Sequence, residues 1–283
     1  MQMKYYLIEM RIKHYIKNLL IFMPAFFAGV IFEISTLIAC ILAFLSFSLM
    51  SSVVYILNDI HDIEKDRIHP RKCKRPIASG AISKSSAIVF STLLLIISVV
   101  LGSFLISKSI YTIIIIFGYL IVNIIYSIAG GKNYALFDVV LLVSGFYLRV
   151  MMGAYSVGVE ISDWLILVII SGASFMAFGK RRNETIQVGT KTREVLNQYS
   201  EDFLDKAMYS CMTLSLCFFA LWCSEQGTKY IVLFPLLLLL LLRYSMQVEG
   251  NDEGDPTTLI LKDKLIIFLG MLIGFISLML IYR

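Results

Sequence analysis

Three aspartates lie close together in one loop and have the spacing of a metal site. Asp59, Asp62 and Asp66 are three and four residues apart, which stacks their carboxylates on one face if the preceding helix continues. Like charges this close repel unless a cation lies among them. Carboxylate oxygens suit Mg²⁺, which completes its shell with water and substrate phosphates. The spacing predicts a Mg²⁺ site in which the three aspartates are both the metal ligands and the catalytic residues.

A second cluster, later in the chain, is basic rather than acidic. Lys180, Arg181 and Arg182 are consecutive, and Glu184 follows them. Lys and Arg bind phosphate directly through charge-assisted hydrogen bonds. Charge that sets membrane topology, or that contacts lipid headgroups, would give the same pattern. The cluster alone leaves both interpretations open.

The composition determines which elements must position these residues. Of 283 residues 58% are hydrophobic and 16% are charged, and the mean hydropathy is +0.81. Soluble domains average about 45–50% apolar and about 25% charged residues, so an ordinary water-soluble enzyme is excluded. The predicted fold is an all-α polytopic membrane protein.

Apolar runs predict nine transmembrane helices, because a run of about 20 apolar residues spans a bilayer. The basic residues predict their orientation: 20 of the 25 Lys and Arg lie on one side, in the N-terminal segment and in the loops 58–84, 129–133, 180–202 and 243–264. The positive-inside rule puts that side in the cytoplasm. We therefore expect a multi-pass protein of the inner (plasma) membrane with a cytoplasmic N-terminus and a cytosol-facing site. The predicted spans are 18–33, 35–57, 85–106, 109–128, 134–157, 161–179, 203–222, 230–246 and 264–282.

The acidic loop resembles a known family. The string from Asn58 to Asp66, followed by Arg75-Pro76 and Gly80, looks like the first aspartate-rich motif of the UbiA superfamily of intramembrane prenyltransferases. That resemblance implies a bundle of nine transmembrane helices and a Mg²⁺-diphosphate site that faces the cytosol. Most members carry a second acidic motif after span six, where this chain has Lys180-Arg181-Arg182.

With basic residues in place of the second acidic motif, the sequence resembles one branch of the superfamily, the polyprenyl-phosphate phosphoribosyltransferases. This resemblance implies transfer of 5-phosphoribose from 5-phosphoribosyl 1-diphosphate to a polyprenyl phosphate of decaprenyl type, with release of diphosphate, Mg²⁺ as cofactor and no nucleic-acid partner. The matching pieces include Lys17-Asn18, Tyr126-Ser127 with Lys132 and Asp138, Ser144 to Arg149, Gly179-Lys180-Arg181 with Glu184, Tyr199-Ser200, Arg243-Tyr244 and Gly254 to Thr257 with Asp263.

Besides the diphosphate leaving group, such a reaction involves the 5-phosphate of the ribose and the phosphate of the lipid. We expect basic side chains to bind these two phosphates. An ionisable residue inside a span is costly and marks a functional site by default, which adds Arg149. The predicted substrate-phosphate residues are Lys17, Asn58, Arg67, Lys74, Arg75, Tyr126, Lys132, Arg149, Lys180, Arg181 and Glu184.

We expect one transmembrane catalytic domain over residues 1–283, with an interfacial segment 1–17 and active-site loops 58–84 and 180–202. Two other functions stay open. A prenyltransferase would join a prenyl diphosphate to an aromatic acceptor, and the absent second aspartate motif argues against it. A secondary transporter would place Asp138 and Arg149 along a substrate path, but no internal repeat supports one. The sequence leaves a homo-oligomer open.

Overall fold

The computed structural model describes residues 2–69, 72–188, 194–250, 259–260 and 262–283. Within these ranges the regular elements are helices and there are no strands. Residues 189–193 of the predicted active-site loop and the matching piece 254–257 lie outside them. The α-helices are α1 Gln2–Glu9, α2 Met23–Phe27, α3 Ile34–His61, α4 Ile63–Ile68, α5 Lys84–Ser103, α6 Tyr111–Ser127, α7 Phe137–Val157, α8 Asp163–Val188, α9 Glu201–Gln226, α10 Leu233–Gly250 and α11 Lys264–Ile281.

In the described part of the chain, seven segments are long and apolar enough to cross a membrane. They comprise α3, α5, α7, most of α8, α9, a segment that ends with α10, and α11. The apolar helix α6 is shorter, at 17 residues. The predicted count of nine helical spans is therefore not confirmed, although the all-helical membrane architecture is.

The first predicted span, 18–33, differs most from expectation. Residues Ile12–Phe22 form a 3₁₀ helix, and the short α2 follows it. Pro24 has no amide hydrogen, and its ring would clash with a carbonyl four residues earlier in a helix interior, so it lies in the first turn of α2 instead. A 3₁₀ helix rises about 2 Å per residue, so it spans a given distance with fewer residues than an α-helix does.

This 3₁₀ segment runs antiparallel to α3. The Tyr15 hydroxyl lies 2.7 Å from Ser52 Oγ, and Asn18 Nδ2 donates to Ser48 Oγ at 2.9 Å. Four residues further on, the Phe22 ring lies 5.9 Å from the ring of Phe44. The segment thus follows α3 from its C-terminal half toward its start.

The chain divides into two compact units. The first contains residues 1–131 and 148–160, and its core includes Phe47, Met50 and Ile116. Within it Ser46 and Ser98 exchange hydrogen bonds with each other's backbone carbonyls, both at 2.7 Å, and these bonds join α3 to α5. Small polar residues of this kind let transmembrane helices approach closely.

The second unit contains residues 132–147 and 161–283. Its core includes Phe175 on α8 with Leu204 and Met208 on α9, all less than 2% exposed. Membership of both units in one catalytic domain stays a prediction.

Candidate functional site

The three aspartates of the predicted motif do not lie on one continuous helix. α3 ends at His61, Asp62 has φ −92° and ψ 12°, and α4 begins at Ile63. Asp62 is half-buried, whereas Asp59 and Asp66 are buried. The predicted single face is thus replaced by a bend between two helices.

Arg75 brings the two buried carboxylates together across this bend. Its Nη1 lies 2.9 Å from Asp59 Oδ1 and 2.6 Å from Asp66 Oδ2. Lys72 Nζ lies 3.9 Å from the other oxygen of Asp66. One positive group therefore lies between two carboxylates, as expected where like charges must be held close.

The N-terminal segment supplies two site residues that sequence reasoning missed. Arg11 Nη2 lies 2.6 Å from each oxygen of Asp59, and its guanidinium lies 4.8 Å from the ring centre of Tyr55. Glu9 is buried and accepts a hydrogen bond from the amide of Ile77 at 3.0 Å. In the sequence the N-terminal segment shows only the basic charge of an interfacial helix. Arg11 and Asp59 are 48 residues apart, so no local sequence pattern reveals their contact.

The carboxyl groups of Glu9 and Asp59 are close enough for their charges to interact. Burial and, after it, the charge of Asp59 raise the pKa of Glu9 to about 7, against 4.5 in an ordinary setting. Near neutral pH a proton therefore resides on Glu9 in part of the population, which relieves repulsion between the two carboxyl groups.

The residues of this cluster fit a hard divalent cation. Among the described residues, no three acidic, His or Cys side chains converge as a preformed metal cage. Mg²⁺ seldom uses such a cage, since it binds one or two carboxylates together with water and substrate phosphate. Oδ1 of Asn58 is buried without a hydrogen-bond partner beside the aspartates, and it is an oxygen donor of the required kind.

A small crevice adjoins Asn58. It lies between α3 and α6. Its walls combine apolar side chains with three polar ones: Val54, Leu57, Asn58, Leu120, Asn123, Ile124, Ser127 and Ile128.

Of the predicted phosphate ligands in the first unit, Arg75 contacts two of the motif aspartates through its side chain. Arg67 and Lys74 are exposed, and Arg67 pairs with Glu64 at 3.1 Å. Lys17 and Tyr126 are half-buried, on the 3₁₀ segment and near the end of α6. Their phosphate roles stay predictions.

Arg149 is buried in the first unit among aromatic and polar groups. Its Nε donates to Asn18 Oδ1 at 2.7 Å, and its Nη2 donates to the Tyr119 hydroxyl at 3.2 Å. The guanidinium also lies about 5 Å from the ring centres of Phe47 and Tyr119, within the range of cation–π attraction. These contacts stabilise a charge inside an apolar unit.

The basic cluster of the second unit lies on a helix rather than in a loop. α8 continues to Val188, so Lys180, Arg181 and Glu184 are neighbours on its last turns. Arg181 Nη1 donates to Glu184 Oε2 at 2.5 Å, and Lys180 Nζ lies 4.0 Å from Glu184 Oε1. These ion pairs support helical structure beyond the end of the apolar run.

Arg181 is also part of a fully buried ion pair. Its Nε donates to Asp138 Oδ2 at 2.6 Å, and neither side chain is exposed. The Tyr199 hydroxyl donates to Asp138 Oδ1 at 2.8 Å and accepts from the amide of Leu136 at 2.6 Å. Burial, followed by the hydrogen bond to Asp138, raises the pKa of Tyr199 to about 12, although the bond from Leu136 opposes the shift.

The contacts of Arg181 are those of an anchoring residue, and its predicted phosphate role stays untested. Lys180 and Lys132 are only half-buried and are thus more accessible than Arg181 among the predicted phosphate ligands of this unit. Arg182, next along α8, pairs with Asp205 of α9. The second unit therefore has basic side chains where the family's second aspartate motif would stand.

Comparisons with known proteins agree with this organisation. The chain is 32% identical to the decaprenyl-phosphate phosphoribosyltransferase of Corynebacterium glutamicum, an alignment that covers 96% of this chain and 85% of the relative. It is 27% identical to the enzyme of the same name from Mycobacterium tuberculosis, over 92% of this chain and 89% of that protein. The structure matches a UbiA homolog from Archaeoglobus fulgidus bound to GPP and Mg²⁺ with a TM-score of 0.74 and 17% identity, over 99% of this chain and 100% of the other.

The sequence pattern of a known family agrees with the likeness in fold. The model of the UbiA prenyltransferase family matches residues 19–279, which is most of the chain. The resemblance drawn from the aspartate motif is thereby confirmed. This multi-pass membrane protein belongs to the UbiA prenyltransferase family.

Proposed function

We propose that the protein is a Mg²⁺-dependent phosphoribosyltransferase that moves 5-phosphoribose from 5-phosphoribosyl 1-diphosphate to a polyprenyl phosphate of decaprenyl type. The observation that carries the proposal is the similarity, over more than nine-tenths of the chain, to relatives named decaprenyl-phosphate phosphoribosyltransferase. Lys180 of the basic cluster supports it, because this cation is only half-buried and a reaction between two phosphorylated substrates needs cations.

The reaction forms a bond from a phosphate oxygen of the lipid to C1 of ribose and breaks the bond from C1 to the diphosphate. The attacking oxygen is already anionic, so the step needs no strong general base. Carboxylates near the ribose can also stabilise the positive charge of an oxocarbenium-like transition state, as in glycoside chemistry.

Asp59, Asp62 and Asp66, with Asn58, would hold the Mg²⁺. When bound there, the ion neutralises charge on the leaving diphosphate. Arg75 keeps Asp59 and Asp66 together. Arg67, Lys74 and Lys17 of the first unit, and Lys132 and Lys180 of the second, are the proposed ligands for the substrate phosphates.

The site faces the cytosol in this proposal, because the loops that carry it hold most of the basic residues. A phosphorylated sugar donor is water-soluble, whereas the acceptor lies in the bilayer. A site at the membrane surface can receive both.

A transfer assay with purified protein tests the function. The full-length protein is incubated with Mg²⁺ and phosphoribosyl diphosphate labelled in the ribose, with and without polyprenyl phosphate, and lipids are then extracted. We expect label in the lipid phase only when both Mg²⁺ and the lipid are present. Absence of label with folded protein, over several chain lengths, would overturn the proposal and direct attention to prenyl diphosphates with aromatic acceptors.

A further inference from the structure

Two arginines contact the single carboxylate of Asp59. Arg11 Nη2 lies 2.6 Å from both of its oxygens, and Arg75 Nη1 lies 2.9 Å from Oδ1. Arg75 is shared between Asp59 and Asp66, whereas Arg11 contacts Asp59. The guanidinium of Arg11 has five N–H donors and directs one nitrogen to both oxygens of Asp59. Arg11 thus has hydrogen-bonding capacity beyond what Asp59 requires.

The arginines are more accessible than the carboxylate that they contact. The side chain of Asp59 is 2% exposed, whereas those of Arg11 and Arg75 are 21% and 27% exposed. An anion that approaches this cluster from solvent therefore meets guanidinium groups before it meets the carboxylate.

The backbone of Arg11 is held in a conformation that costs free energy. Arg11 has φ 52° and ψ 47°, the left-handed region that residues with a side chain rarely adopt. Such conformations are strained and persist where the surroundings fix them, often at functional sites. Here the carbonyl of Met10 accepts a hydrogen bond from Ser52 at 2.8 Å, and Glu9 accepts one from the amide of Ile77. The two residues before Arg11, Glu9 and Met10, are thus held in place by hydrogen bonds to Ile77 and Ser52.

We propose that Arg11 is a substrate-binding residue whose guanidinium binds the diphosphate group of the phosphoribosyl donor in exchange for Asp59. This inference rests on the proposed function. Phosphate and carboxylate oxygens offer the guanidinium fork the same paired geometry, so a diphosphate can replace the carboxylate as its partner. The donor diphosphate is favoured over the lipid phosphate because Asp59 belongs to the motif assigned to the leaving group.

Binding of inorganic diphosphate tests the proposal without catalysis. Full-length protein in detergent with MgCl₂ is titrated with inorganic diphosphate in a calorimeter. We expect Arg11→Gln to weaken binding by at least about 10-fold, as loss of a charge-assisted hydrogen bond implies. Arg11→Lys keeps the charge but loses the fork, so its affinity falls between the two. Lys13→Gln is the matched control, since Lys13 is an exposed cation two residues away, and its affinity stays within about twofold of wild type.

Steady-state kinetics separate the two possible phosphate sources. If Arg11 binds the donor, Arg11→Gln and Arg11→Lys raise KM for phosphoribosyl diphosphate and leave KM for polyprenyl phosphate unchanged. A rise in KM for the lipid alone would overturn the assignment to the donor. A merely structural role would instead lower the unfolding temperature of both variants and leave diphosphate affinity intact.

Unchanged diphosphate affinity in folded Arg11→Lys and Arg11→Gln proteins would overturn the proposal. If Arg11→Gln fails to fold, Arg11→Lys decides the outcome, because it retains the positive charge beside Asp59. A wild-type protein that binds diphosphate through Arg11 but transfers no phosphoribose would contradict the proposed function and leave the binding assignment standing.

Discussion

At the scale of single residues, the charges of the first unit are arranged around Asp59. Its carboxylate contacts Arg11 and Arg75, and its charge raises the pKa of Glu9. Residue spacing predicted that Asp59 and Arg75 belong to the site, and their roles stay predictions. It did not predict Arg11 or Glu9, because their partners lie far along the chain and depend on how the N-terminal segment packs against α3.

Asp59→Asn keeps the size of the side chain and removes its charge. We expect it to lower phosphoribosyl transfer by at least about 100-fold, the size of effect seen when a main electrostatic stabiliser is lost. Asp202→Asn is the control, because Asp202 is exposed and pairs only at the surface with Lys206. Near-normal turnover in folded Asp59→Asn protein would refute the metal assignment.

The buried pair of Asp138 and Arg181 makes a separate prediction about stability. Removal of one partner leaves a buried charge uncompensated, which costs about 3–5 kcal/mol. We expect Asp138→Leu to lower the free energy of unfolding by that amount, and the double variant Asp138→Leu/Arg181→Met to recover much of the loss. Unfolding in mixed micelles measures both. A double variant less stable than either single one would show that the pair does not act as a unit.

At the scale of elements, composition predicted the apolar helices well, since each needs only a long apolar run. The errors occur where local chemistry overrides that pattern. Pro24 interrupts the first predicted span, and ion pairs extend α8 past its apolar run through Arg181 and Glu184. The pattern of apolar residues also does not predict that α3 ends just before Asp62.

Two helical glycines make a matched test of packing within the first unit. A Cβ at Gly153 of α7 would lie 2.0 Å from the backbone carbonyl oxygen of Ile21, whereas one at Gly118 of α6 would meet no atom within 4 Å. We expect Gly153→Ala to destabilise the protein by about 1–3 kcal/mol, through overpacking against a backbone that cannot move freely. Gly118→Ala should be neutral or slightly stabilising. Thermal unfolding in detergent measures the difference, and equal effects would contradict the close approach of α7 to the 3₁₀ segment.

At the scale of the whole molecule, mean hydropathy and the distribution of basic residues were enough to predict a multi-pass helical protein, and the aspartate motif was enough to predict its family. The division into two units was not predictable, because packing between helices depends on contacts such as those of Ser46 and Ser98. The side of the membrane that each loop faces is a further prediction of the charge pattern.

Cysteine labelling tests that orientation. Lys65 and Lys108 are both exposed, after α3 and after α5 respectively. In a cysteine-free background, Lys108→Cys should react with a membrane-impermeant maleimide on intact cells, and Lys65→Cys only after permeabilisation. The reverse pattern would place the aspartate motif outside the cytoplasm and contradict the positive-inside assignment.

The central claim is that phosphoribose moves to the lipid and diphosphate leaves. One measurement follows both fragments: phosphoribosyl diphosphate carrying ¹⁴C in the ribose and ³²P in the terminal phosphate is incubated with the protein, Mg²⁺ and polyprenyl phosphate. We predict that ¹⁴C enters the lipid phase while ³²P stays in water as diphosphate, and that Asp59→Asn abolishes the transfer. Entry of ³²P into the lipid, or no entry of ¹⁴C with folded wild-type protein, would contradict the account.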